Sequence, residues 1–113
     1  MPVAVREIDT PALAAAARDG ALVVDVREPH EYVEGHVPCA RLLPVGALGR
    51  HAPDLRRAAH RNAPVYLICR TGVRSAQAAA QLERSGVHAV SVAGGTEAWE
   101  AAGLPVVTGS HAC

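Results

Sequence analysis

Short apolar, β-branched runs alternate along this chain with segments that read as helices, and this alternation restricts the fold more than any other feature. Residues 21–26 (ALVVDV) and 65–68 (VYLI) are apolar through their centres, which suits strands buried on both faces of a sheet. Residues 3–8 alternate apolar and polar side chains and read as a first strand. Residues 40–43, ended by Pro44, and residues 89–92 read as two more. Between these runs lie helix signals. Asp9-Thr10-Pro11 is a capping residue followed by proline in a first turn, and the helix it opens runs through the alanines to about Arg18, closed by Gly20. Pro29 starts a short helix that Gly35 stops. Residues 45–60 read as a helix in two pieces, broken near Pro53. Residues 75–84 are strongly helical, with Ala76, Ala79 and Ala80 along one face. A last helix holding Ala98, Trp99 and Ala102 follows Gly94-Gly95 and ends before Gly103 and Pro105. The pattern implies an α/β domain of right-handed β-α-β units: a mostly parallel five-stranded sheet flanked by helices on both faces, three layers in all. Sites in such sheets form beyond the carboxyl ends of the strands.

Bulk properties narrow the function. The 113 residues suit one domain, and half of them are hydrophobic. A chain of this size buries roughly 60–70% of its unfolded surface, so it needs no metal or disulfide. The formal net charge is zero, which argues against nucleic-acid and membrane-surface partners. All eleven basic residues are Arg; the absence of Lys removes a Schiff-base enzyme and a Walker-A nucleotide site. The lack of Phe and the single Trp argue against a base-stacking platform. The three cysteines, Cys39, Cys69 and Cys113, are odd in number and widely spaced, unlike a disulfide scaffold. Neither a secretory signal nor an apolar run of membrane-crossing length is visible. The expectation is a monomeric cytoplasmic protein, with its domain over residues 1–108 and a mobile tail over residues 109–113.

The chemistry concentrates in one segment. The run of residues 65–68 leads directly into Cys69-Arg70-Thr71-Gly72-Val73-Arg74-Ser75, and a helix begins at its end. The loop therefore curls around the N-terminus of that helix, where amide N–H groups lack partners inside the helix and bind anions, aided by the helix dipole. A thiol placed there acquires a lowered pKa. Gly72 permits the tight curvature. A cation at a helix N-terminus is disfavoured by about 0.3–1 kcal/mol, so Arg70 and Arg74 make sense if an anion sits between them. Thr71 and Ser75 offer hydroxyls to the same space. The alternative is a buried structural cysteine, which the glycine and two arginines around it disfavour.

This loop resembles the active-site loop of the rhodanese family, Cys-Arg-x-Gly-x-Arg. The resemblance extends to Asp25-Val26-Arg27 with Glu31-Tyr32, to Gly35-His36-Val37-Pro38 followed by Ala40, and to Gly94-Gly95, Ala98-Trp99 and Gly103-Leu104-Pro105. It implies a sulfurtransferase that carries sulfane sulfur as a persulfide on Cys69, with Arg70, Thr71, Gly72, Val73, Arg74 and Ser75 binding the substrate. The donor would be thiosulfate or a similar small sulfur anion, and the acceptor cyanide, a thiol or a protein thiol. No metal or organic cofactor is required. A persulfide carrier or sensory module that docks a protein partner fits the same loop. Cysteine phosphatases and arsenate reductases fit it less well, since the phosphatases use Cys-x5-Arg and only four residues separate Cys69 from Arg74 here.

Other residues carry two readings each. Asp25 and Arg27 brace the cysteine loop from a supporting position, or form a local turn or ion pair. His36 is a structural hydrogen-bonding histidine in preference to a proton shuttle. Cys39, where the family usually has glycine, fills a small space or resolves a persulfide on Cys69; Cys113 is incidental unless the tail folds back. Trp99 is core packing.

Overall fold

The computed structural model describes residues 4–113. Five strands, β1 (Arg6–Ile8), β2 (Val23–Asp25), β3 (Arg41–Leu42), β4 (Val65–Ile68) and β5 (Ala89–Val92), form one sheet in the order β1-β5-β4-β2-β3. Every strand pair is parallel, with Val24 opposite Leu67 and Leu67 opposite Ser91. The helices are α1 (Thr10–Arg18), α2 (Pro29–Tyr32), α3 (Leu48–Ala58), α4 (Val73–Arg84) and α5 (Gly95–Ala101). The first strand is shorter than its alternating pattern, and Val3, its expected start, lies outside the described residues.

Alternation along the buried strands divides the core in two. Val24 and Leu67 pack with Leu48, Ala52 and Leu55 of α3 and with Ala78, Ala79 and Leu82 of α4. Val23, Ile68 and Val92 face the other way, onto Leu13 of α1 and Trp99 of α5. Successive strand side chains point to opposite faces, so the three-layer arrangement follows from the apolar runs. The central strand β4 lies between β2 and β5. Whatever follows β2 and β5 therefore flanks Cys69 at the carboxyl edge.

Three local expectations need correction. The helix over residues 45–60 does not break at Pro53. It breaks earlier, between a 3-10 turn (Val45–Ala47) and α3, which runs through Pro53 without interruption. An interior proline removes one main-chain hydrogen bond, but Leu48, Ala52 and Leu55 bury on either side of it and hold both halves to the sheet. The buried row of α4 is Ser75, Ala78, Ala79 and Leu82, whereas Ala76 and Ala80 are only half-buried; the phase is set by Ser75, which faces the Cys69 sulfur.

The third correction concerns residues 109–113, which are held down. An antiparallel bridge between His36 and Val107 lays the chain along the segment after α2. Gly109 N–H then donates to Val33 O at 2.8 Å, Cys39 N–H to Ala112 O at 2.6 Å, and His36 Nε2 lies 2.8 Å from His111 O. Cys113 forms a disulfide with Cys39, 74 residues away in sequence. Neither cysteine is incidental, and Cys39 is not a spare thiol beside Cys69. No helix among the described residues is long and apolar enough to cross a membrane.

Leu82, fully buried between α4 and the sheet, is a sensitive probe of this core. Leu82→Ala is expected to lower unfolding free energy by about 2–5 kcal/mol in urea titration, while Gln77→Ala on the exposed face of α4 should stay within about 0.5 kcal/mol of the parent.

Candidate active site

Cys69 leaves the end of β4, and the chain turns at once into α4. Gly72 caps that helix at φ +108°, a conformation that side chains with a Cβ disfavour. A Cβ there would also meet Gly94 N at 3.2 Å. The turn aims main-chain donors at the sulfur: Gly72 N–H reaches Sγ at 3.1 Å and Ser75 N–H at 3.3 Å. Ser75 Oγ lies 3.4 Å from the same sulfur. It is also 2.8 Å from Ser91 Oγ on β5 and 3.2 Å from Gly72 O. With Ser91 donating to Ser75, the Ser75 proton can turn to the sulfur once the thiol ionises.

These contacts decide the charge state of the thiol. Burial alone raises its pKa, because it penalises the thiolate. The Ser75 side chain, the Ser75 and Gly72 amides and the Thr71 amide act oppositely, and the net result lies below the ordinary thiol value. Cys69 is the free cysteine of the chain and only 1% exposed. The sulfur forms the floor of the loop, so a reactant must bring its own sulfur into the ring or meet it as the loop opens.

Loop carbonyls are fastened from below. Thr96 N–H and Oγ1–H donate to Cys69 O at 2.9 and 3.1 Å, and Glu97 N–H donates to Arg70 O at 3.0 Å. The start of α5 approaches so closely that a Cβ on Gly95 would lie 2.5 Å from the Cys69 and Arg70 carbonyl oxygens. With its carbonyls held on α5, the loop turns its amides inward.

Each of the two loop arginines has a carboxylate partner. Arg74 makes a bidentate pair with Glu31 of α2 at 2.7 and 2.8 Å, and Arg70 Nε bonds Glu97 Oε2 at 2.9 Å. Carboxylates from α2 and α5 thus offset the charge of both cations, partners that the sequence alone does not reveal. The Arg74 hydrogen bonds outweigh burial and lower the Glu31 pKa from 4.5 to about 2, and the Glu31 carboxylate in turn raises that of Arg74. Val73 and Thr71 are exposed on the outside of the turn, and among the described contacts Thr71 acts through its amide.

Asp25 and Arg27 make no hydrogen bond to the Cys69–Ser75 loop among the described contacts. Arg27 Nε and Nη2 grip the buried Asp25 carboxylate at 2.8–3.2 Å, and Nη2 also donates to Gly35 O at 2.8 Å. They form the local ion pair and brace the segment around α2, which presents Glu31 to the loop. His36 is fully buried, stacked on Tyr32 with ring centroids 3.6 Å apart and with both ring nitrogens near carbonyl oxygens, as a structural histidine would be. Beside the loop, a cavity of about 260 Å³ is walled by Arg27, Glu31, Glu34, Arg70, Glu97 and Glu100, among others.

Ser91, Gly95, Thr96 and Glu97 were not among the expected site residues. The available signal was Gly94-Gly95 directly after β5: paired glycines at a strand end mark a close backbone approach. What they approach depends on strand order.

Comparison with known proteins identifies the family and the fold. The family model described as Rhodanese-like domain matches residues 10–102. A sulfurtransferase of Allochromatium vinosum is 36% identical over 106 residues, 91% of this chain and 95% of that protein. Thiosulfate sulfurtransferase GlpE of Pseudomonas putida is 38% identical over 91 residues, 80% of this chain and 79% of that protein. For YqhL of Bacillus subtilis the identity is 36% over 80 residues, 70% of this chain but only 60% of that protein's length. Among solved structures, a rhodanese-related protein from Thermoplasma volcanium superposes with a TM-score of 0.75 at 31% identity, covering 90% of this chain and 97% of that one.

Two measurements check the electrostatics. In Ser75→Ala, the pH profile of Cys69 alkylation by iodoacetamide is expected to move to higher pH, and the rate at neutral pH to fall several-fold; an unmoved profile contradicts the role given to Ser75. Because the Glu31 pKa is depressed by folding, its pair stabilises the protein above about pH 4.5, and this stabilisation is lost as pH falls through about 2. Glu31→Gln is expected to lower the urea midpoint at neutral pH, by a margin that shrinks below about pH 4.5 and is gone near pH 2.

Proposed function

This chain belongs to the rhodanese-like sulfurtransferase family, and from that premise we propose that it moves sulfane sulfur from thiosulfate or a related donor through a persulfide on Cys69 to a thiophilic acceptor. The observation that carries the proposal is the pair of amide hydrogen bonds to Cys69 Sγ from Gly72 and Ser75, on a thiol whose pKa is lowered. They favour the thiolate, which is the nucleophilic form.

The reaction is a double displacement. Cys69 thiolate attacks the outer sulfur of the donor. The donor's S–S bond breaks, and sulfite leaves with the electron pair. The outer sulfur, now bonded to Cys69, carries the negative charge into the ring of amides at the start of α4, where main-chain donors and the helix dipole stabilise it. Cyanide or a thiolate then attacks that outer sulfur, the new S–S bond breaks, and Cys69 returns as thiolate. No general base is needed at the sulfur when it is already ionised. Arg74 and Arg70 act here as partly neutralised cations, ordered by Glu31 and Glu97.

A second reading concerns the donor. The cavity beside the loop presents Glu31, Glu34, Glu97 and Glu100; Arg74 offsets Glu31, Arg70 offsets Glu97 and Arg27 is paired with Asp25, which leaves Glu34 and Glu100 as the excess charge. Such a rim disfavours the approach of a small dianion and favours a neutral or basic thiol persulfide, free or on a protein.

Incubation with thiosulfate followed by intact-mass measurement is expected to show a gain of one sulfur atom, removed by cyanide and absent in Cys69→Ser. Retention of full transfer activity by Cys69→Ser would contradict the proposal. Under the second reading, a persulfide of a neutral thiol loads Cys69 faster than thiosulfate does at equal concentration; equal or slower loading sets that reading aside.

A further inference from the structure

Sulfur transfer makes no use of the Cys39–Cys113 disulfide. Cys39 is the non-glycine residue at positive φ among the described residues, at 68°, in a left-handed conformation that costs free energy for any side chain with a Cβ. Strain of this kind persists where its surroundings hold it. At Cys39 two things hold it: the amide bond to Ala112 O and the disulfide itself. Both cysteines are exposed, so a reductant can reach either sulfur.

The disulfide fastens a strap. Residues 107–113 lie along residues 33–39 through reciprocal 2.9 Å bonds between the His36 and Val107 main chains, through Gly109 to Val33, through Ala112 to Cys39, and through His111 O beside His36 Nε2. The strapped segment is continuous with α2. His36 Nδ1 lies 2.8 Å from Tyr32 O, the His36 ring stacks on Tyr32, and Tyr32 Oη donates to Ala40 O. Next to Tyr32 is Glu31, whose carboxylate holds Arg74 of the cysteine loop by two hydrogen bonds. Since Cys69 is 1% exposed, a reagent that cannot thread into the ring reaches it only as the loop opens, and local opening is governed by contacts of this kind.

We propose that Cys39–Cys113 is a reversible thiol–disulfide switch, opened by a dithiol reductant, which ties residues 107–113 over the segment carrying Glu31 and so limits opening of the Cys69 loop. The meaning given to loop opening rests on the sulfur-transfer reading; the strap does not. In the first step a thiolate of the reductant attacks one cysteine sulfur, the S–S bond breaks, and the other cysteine leaves as thiolate and takes a proton from water. The reductant's second thiol, deprotonated, then displaces the first cysteine from the mixed disulfide. Two electrons and two protons pass from the dithiol to the pair, and the reductant ends as a disulfide. A freed Cys39 no longer has a covalent hold on its left-handed backbone, and the strap releases.

The test compares the full chain in oxidised form, the chain reduced with dithiothreitol and freed of reductant anaerobically, and Cys113→Ser without reductant. Mass measurement after iodoacetamide should show two more alkylated thiols in the reduced chain than in the oxidised one. Amide hydrogen exchange at Cys39 and Gly109 is expected to quicken by about tenfold or more on reduction, and Cys69 alkylation by about threefold. Cys113→Ser should behave as the reduced chain does. Should that variant fail to fold, the oxidised and reduced wild type still decide. Unchanged exchange at both amides, or an unchanged Cys69 rate, overturns the proposal. If neither thiosulfate nor a thiol persulfide loads sulfur in either form while exchange and alkylation change as stated, the sulfur-transfer reading fails and the switch stands.

Discussion

The site depends on one interaction: main-chain amides at the start of α4 donating to Cys69 Sγ. A helix begins with N–H groups that have no partner inside it. Here two of them, from Gly72 and Ser75, find a sulfur at 3.1 and 3.3 Å. The arrangement suits both parties, because the helix satisfies its unpaired donors and the sulfur gains a reason to be an anion. Several other features serve to maintain it. Strand β4 delivers Cys69 to the carboxyl edge, the left-handed Gly72 turns the chain back over it, and α5 takes the loop carbonyls on Thr96 and Glu97. Gly95 is what lets α5 come close enough to do so.

Charge around the loop is organised differently from what two flanking arginines suggest. Each is matched to a carboxylate, Arg74 to Glu31 and Arg70 to Glu97. The charge of each cation is therefore largely offset by its neighbouring carboxylate. Electrostatic stabilisation of the sulfur falls to the Ser75 hydroxyl and to backbone dipoles, and the dipoles stay in place whatever the pH and reorganise little during reaction. The Glu31–Arg74 pair also joins the loop to α2, and through Tyr32 and His36 to the strap that Cys39 and Cys113 close. Hydrogen bonds and adjacent residues thus alternate along a route from the exposed disulfide to the loop around the buried nucleophile.

Much of this was legible in the sequence. Apolar runs such as VYLI and ALVVDV specify strands buried on both faces, and the parallel three-layer fold follows from their alternation with helices. The Cys69–Ser75 loop could be read because the chemistry is local: nucleophile, glycine and helix start lie within seven consecutive residues. What escaped was non-local. The Glu31–Arg74 contact spans 43 residues and the Arg70–Glu97 contact 27, and either arginine could equally have faced a substrate. Cys39 and Cys113 become neighbours only because a bridge between His36 and Val107 folds the tail along the domain. Pro53 misled in the opposite sense, since a local breaker was overridden by burial of Leu48, Ala52 and Leu55.

The most direct test of the central claim is a titration of Cys69 followed by the 13C shift of its Cβ, read in the oxidised chain, where Cys39 and Cys113 do not ionise. The account predicts half-ionisation clearly below the ordinary range of a free thiol, as amide donors to the sulfur require. A Cys69 that keeps its proton at or above that range would contradict it.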